Sequence, residues 1–357
     1  MRKSFAWIAG VLAYLLITLE MLFMISPFAL YYYSIYGSLL AKATSLPATA
    51  WMPAFFLPHL SSEIIPSIGG LIFLTGLAGF FVNAFQLYYA KFRKRGVVQS
   101  WFYKRIRHPQ YLFLALSGLG LLIVWPRFIL LVAYINMLWL YYLLARDEER
   151  RMDARYGETY REHRLRTSMF LPGEPGGRLQ QWLFGWIRRH RIRLFAIYGL
   201  SLAGAIGAAF LLRGLSLHLV TRLSLRDRKI AAVSFLSGSE RQLREIIESA
   251  EDDEKIRSHI EGQNTWVLVQ AMEGNRPVVH VMIDAGMTRS NAKNLPLAEQ
   301  GINLVFSRRK DTEHKGPFST RARWQPILIA GMKGEKISRV LDLDQGLFLG
   351  NPVMPVF

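Results

Sequence analysis

The feature that most constrains this chain is a set of apolar blocks too long for an ordinary core helix and too poor in charge for a surface one. They run from Phe5 to Leu30, Ile65 to Ala90, Tyr111 to Ala145 and Leu194 to Leu212. About 20 residues at 1.5 Å each cross the ~30 Å of hydrocarbon in a bilayer. The third block is interrupted by "WPR" at 125–127 and reads as two helices that turn back on each other at Pro126. The expected fold is therefore mainly α: a polytopic membrane bundle of about five segments, one pair of them a helical hairpin. The first block begins with the basic "MRKS", but its apolar core exceeds the ~7–15 residues of a secretory leader, so it reads as an uncleaved span.

Charge then sets an orientation. A net charge of +18 in a soluble protein of 357 residues would point to nucleic acid. Here residues 1–213 hold 24 basic and nine acidic side chains, and 19 of the basic ones fall within 91–107 and 146–193. By the positive-inside rule both stretches are cytoplasmic, which removes the reason to expect a nucleic-acid partner. With the amino terminus also inside, five crossings leave residue 214 onward outside. The setting this implies is an integral membrane protein, bacterial inner membrane being the preferred case.

Residues 214–357 hold 20 basic and 17 acidic side chains, and their texture changes to that of a soluble α+β domain. "KIAAVSFL", "TWVLVQAM", "PVVHVMIDAGM", "INLVFS" and "QPILIAGM" read as strands, and "SERQLREIIESAEDDEKIRSHI" as one helix opened by a serine cap. The domain boundaries expected are thus 1–213 for the membrane part, with its motif region at 91–172, and 214–357 for an extracytoplasmic domain open to a protein partner. The chain has no cysteine, so no disulfide supports that domain.

The chemistry-bearing residues gather at the ends of the hairpin. "YKRIRHPQYLF", Tyr103 to Phe113, ends a basic loop with two arginines, an imidazole and a phenol, and Pro109 suits the first turn of a helix. "ARDEERRMDARYGETYREHRLR", Ala145 to Arg166, leaves the other arm. An antiparallel hairpin returns Glu148 and Glu149 to the depth of Arg107 and His108, where paired carboxylates and tyrosines suit an organic cation in a low-dielectric setting. Glu20 reads as a carboxylate near the middle of the first span, Asn83 and Gln86 as interhelical hydrogen-bond formers, and "YYYSIYG" and "WMPAFFLPHL" as outer interfacial belts. His59 reads as structural. The eight scattered histidines offer no metal-ligand spacing. His280, Asp284, Asp342 and Asp344 are polar residues in or beside expected strands, with no geometry to join them.

Taken together, the basic loop, Arg107-His108-Pro109-Gln110-Tyr111, a hairpin of about 35 residues, Glu148-Glu149, "RYGETYREHRLR" and Pro172 resemble the isoprenylcysteine carboxyl methyltransferase and phospholipid methyltransferase superfamily of integral membrane enzymes. The resemblance covers Lys91 to Pro172, about a quarter of the chain. It implies S-adenosylmethionine as methyl donor, bound at the cytoplasmic face, and a hydrophobic or lipid-linked acceptor arriving among the membrane lipids. Carried over, the cofactor meets Arg95, Gly96, Val97, Val98, Tyr103, His108, Pro109, Gln110, Tyr111 and Glu148, while Arg107 and Glu149 belong to the catalytic part and orient the others. The chain departs from the family pattern at Phe113, at Trp101 and Phe102, where glycines are usual, and at Leu144, where an arginine is usual. Two readings follow: a reshaped but active site, or a non-catalytic anchor that presents the outer domain.

Overall fold

The computed structural model describes residues 18–33, 48–49, 51–57, 64–93, 97–173, 182, 184–234, 236, 238–260, 265–297, 301–310, 316–320, 322–343, 345–348 and 354–355. The chain divides into two compact units, Met1–Lys42 with Ile64–Gly207, and Ala43–Glu63 with Ala208–Phe357. The division falls inside a helix, six residues before the sequence-based boundary at 213, and assigns the 43–63 segment to the second unit.

The first unit is helical. Its elements are α1 (18–33), α2 (Ile64–Phe92), a 3₁₀ turn at Trp101–Lys104, α3 (Pro109–Val124), α4 (Phe128–Tyr156), α5 (Glu158–Arg166) and the first part of α6 (His190–Leu219). Among the described residues α2, α4 and α6 are long and apolar enough to cross a membrane. Leu71, Leu74, Phe81 and Phe85 of α2 and Phe195 and Leu200 of α6 are exposed, an outward apolar face that suits lipid better than water. With 16 residues, α3 spans about 24 Å at 1.5 Å per residue and is short for a crossing.

Glycines set how closely α2 and α3 approach. A Cβ at Gly69 would meet the carbonyl oxygen of Gly120, one at Gly76 the backbone of Phe113 and Ser117, and one at Gly120 the backbone of Phe73. Such small-residue seams let two helix backbones touch and are the usual membrane packing device. After the Trp125–Arg127 turn, α4 runs back antiparallel to α3: Tyr134 donates to the Ala115 carbonyl at 3.1 Å, and the rings of Tyr111 and Tyr141 stack at 5.0 Å. The hairpin expected from "WPR" is present.

Three expectations for the first half of the chain change. Glu20 does not stand alone in its span: it pairs with Lys91 in the last turn of α2, where a cation stabilises it at the end that carries the basic loop. Tyr31 is no outer belt residue, because it is buried in the bundle and its hydroxyl donates to the Gly118 carbonyl at 2.9 Å. The segment that begins at Trp51 is likewise packed rather than splayed. Ala54, Phe55 and Phe56 are buried within the second unit, where Arg213 of α6 donates to the Phe55 carbonyl at 2.5 Å and to that of Phe318 at 3.3 Å. His59 lies outside the described residues.

The second unit is built on a sheet in the order β1 (Thr221–Leu225), β2 (Ile230–Ser234), β3 (Val267–Glu273), β4 (Ile302–Arg309), β5 (Arg323–Lys333) and β6 (Lys336–Asp342), with β7 (Met354–Pro355) added to β5. The β2–β3 pair is parallel and the other pairs antiparallel. The β2–β3 crossover carries α7 (Glu240–Glu251) and α8 (Glu254–Ile260), whose Leu243, Ile247, Ile256 and Ile260 pack on one face. Helices α9 (Arg276–Asp284) and α10 (Arg289–Lys293) lie on the other.

Two elements correct the sequence reading. "PVVHVMIDAGM" is not a strand: α9 carries its proline in the first turn, and Val278, Val281, Met282 and Ala285 recur at helical spacing on the buried side. The single helix expected over 239–260 is two, because the Asp253 carboxylate accepts the backbone N–H groups of Lys255 and Ile256 and starts a new helix. The serine cap is present, as a capping box in which Ser239 and Gln242 exchange hydrogen bonds.

Candidate functional site

The two ends of the hairpin meet. His108 closes the N-terminus of α3, with Pro109 in the first helical turn, and Glu148 and Glu149 lie on α4 just beyond its apolar stretch, which ends at Ala145. The ring of His108 is 3 % exposed. Its Nδ1 lies 3.4 Å from Glu148 Oε2 and its Nε2 lies 3.5 Å from Glu149 Oε1. Neither nitrogen has a hydrogen-bond partner in that geometry. Burial draws the imidazole pKa down, but the two facing carboxylates outweigh it, and the net shift is above the ordinary 6.5.

Each neighbour has a distinct task. Arg107 donates from Nε to Glu149 Oε1 at 2.5 Å, from Nη1 to the Arg164 carbonyl at 3.1 Å, and to the Thr167 carbonyl. Its backbone N–H goes to the Ser168 carbonyl at 2.9 Å and that of His108 to Met169 at 3.1 Å. Arg107 and Glu149 therefore clamp the loop to the chain after α5 and position the imidazole. Glu148 is the freer carboxylate, at 31 % side-chain exposure against 13 % for Glu149. Tyr111 donates to Glu148 Oε2 at 3.3 Å and lies parallel to the His108 ring at 5.5 Å.

Behind this cluster, Tyr103 turns inward from the 3₁₀ turn and donates to Gln110 Oε1 at 3.1 Å. Burial, followed by the charge of Glu148, pushes its phenol well above the ordinary range, so it keeps its proton. Asn83 and Gln86 do not bond between membrane helices as expected. Asn83 Nδ2 donates to Gly79 in its own helix and Gln86 Nε2 to Ser100 Oγ, while their side-chain oxygens are buried without partners. Gln110 and Pro109 are buried. Val97 and Val98 are half-buried, and among the described residues no hydrogen bond joins them to the cluster; Arg95 and Gly96 lie outside the described residues.

The family departure at Phe113 falls elsewhere. Its ring packs where the side chain of Gly79 would be and meets Phe102 edge to face at 5.0 Å. It fills the α2–α3 seam. In the second unit Asp342 pairs with Lys255 at 2.8 Å, an exposed ion pair with a structural role, and no described group of residues has the makings of a metal site.

Scans against protein-family models, curated proteins and solved structures found no match. The motif residues therefore carry the resemblance by themselves. Sequence reasoning passed over the Thr167–Phe170 strap that anchors Arg107 and His108, although "RTSMF" after a basic helix was its one visible sign.

Proposed function

We propose that this chain is an integral membrane methyltransferase that uses S-adenosylmethionine and acts on a lipid-like or lipid-linked acceptor. The observation that carries the reading is the buried His108 ring, whose two nitrogens face Glu148 and Glu149 across the hairpin ends. When bound, the donor supplies a methyl group on a positively charged sulfur, already activated toward a nucleophile.

The residues present fit such a ligand. Glu148 and the Tyr111 ring suit its cation, and the orphaned oxygens of Asn83 and Gln86 can accept from amino groups. The Arg107–Glu149 clamp fixes the loop, and burial around His108 excludes water. Orientation alone supplies ~7–11 kcal/mol in well-aligned transfers, so no metal or covalent nucleophile is required by the chemistry. The reading includes five membrane segments (α1, α2, α3, α4 and α6), a cytoplasmic motif face in a bacterial inner membrane, and the second unit outside.

Equilibrium dialysis of the full chain in detergent against labelled S-adenosylmethionine tests it. Glu148→Gln should weaken binding on the order of tenfold or more, as expected for loss of a charged, desolvated partner at ~1.5–3 kcal/mol, while the exposed Arg241→Gln leaves it unchanged. Native protein without affinity would support the anchor reading instead.

A further inference from the structure

A cavity of about 590 Å³ opens beside the 3₁₀ turn, lined by Trp101, Phe102, Lys104, Arg105, Leu112 and Pro172 among others. None of its lining residues belongs to the His108 cluster. Its walls are largely apolar, with Leu112 from the first turn of α3, and among the described lining residues the charged members, Lys104 and Arg105, are both cations. Lys104 and Arg105 are exposed and make no side-chain hydrogen bond or ion pair among the described residues. Trp101 is 68 % exposed and sits at φ +53°, in the left-handed region that bulky residues seldom occupy. Such strain, on an exposed aromatic beside two cations that have no partner among the described residues, is the kind found where a ligand is gripped.

We propose that this cavity binds an anionic phospholipid. Lys104 and Arg105 take the phosphodiester, Trp101 covers the glycerol region at interfacial depth, and the start of the acyl chains lies along Phe102 and Leu112. Among the described lining residues none is acidic, which favours a net negative headgroup over a zwitterionic one. The apolar walls favour a lipid over free phosphate, which could not use them. This proposal rests on the chain lying in a membrane and does not depend on methyl transfer.

Delipidated full-length protein in a neutral detergent is titrated with phosphatidylglycerol, phosphatidylcholine or soluble glycerol phosphate, and adducts are counted by native mass spectrometry. Phosphatidylglycerol should be retained on the order of tenfold over phosphatidylcholine, as two interfacial cations allow. The preference should vanish in Lys104→Gln/Arg105→Gln and persist in Arg188→Gln/Arg189→Gln, which removes as much exposed charge elsewhere. Trp101→Ala should reduce retention without abolishing the preference. Equal retention of both lipids by the native protein overturns the proposal, as does an equal loss in the two double variants. Glycerol phosphate binding as tightly as the lipid would identify a phosphate site and refute the lipid one.

Discussion

At the scale of single residues, the site turns on one imidazole between two carboxylates. His108 has its pKa raised above 6.5, so it is a cation at lower pH and neutralises the charge that Glu148 would offer a ligand. Affinity for a positively charged ligand should therefore rise as pH rises through that shifted value. The linkage to folding has the opposite sign. Stability from the imidazolium is complete below ~6.5 and is lost as pH rises through the raised value. Dialysis and thermal unfolding between pH 6 and 9 should thus move in opposite directions, and both trends should flatten in His108→Gln. Arg107 makes a different prediction. Its guanidinium is 8 % exposed and satisfies Glu149 and two carbonyls, so Arg107→Ala leaves the half-buried Glu149 with only His108 facing it and should cost ~1.5–3 kcal/mol in denaturant unfolding. A loss of binding with unchanged stability would make Arg107 a ligand contact instead of a clamp.

At the scale of elements, the α2–α3 seam shows how a bulky side chain on one helix is accommodated by a glycine on its neighbour. Gly79 on the facing helix leaves the space that the Phe113 ring needs. Gly79→Ala should destabilise the protein by ~1–3 kcal/mol through overpacking, and adding Phe113→Leu should recover much of that, a coupling read from a double-mutant cycle of melting temperatures. Gly120→Ala meets backbone at Phe73 and Gly69 and should have no such rescue. The hairpin was legible because Pro126 interrupts a long apolar run, and the pairing of His108 with Glu148 follows from arm lengths alone. The seam was not, since a glycine carries no sign of the ring it will face. Helix α9 was misread because its β-branched residues favour a strand locally, whereas burial of Val278, Val281, Met282 and Ala285 selects a helix. The break at Asp253 was hidden by a charge pattern that suits a helix throughout.

At the scale of the whole molecule, the proposed orientation rests on charge, and the chain supplies its own assay. It has no cysteine, so a single introduced thiol reports its side of the membrane without background. Arg151 on α4 and Glu254 on α8 are exposed, and replacing either removes no buried contact. The basic excess is confined to residues 1–213, which carry +15, while 214–357 carry only +3; positive-inside sorting acts on the first and leaves the second free to be exported. In intact bacterial cells whose outer membrane has been permeabilised, a membrane-impermeant maleimide should label Glu254→Cys at once, and Arg151→Cys only after the inner membrane is lysed. Labelling of both from outside, or of neither, would show an even number of crossings between them. The sheet unit would then face the same compartment as His108, and the five-segment topology would be replaced by one in which α6 does not reverse sides.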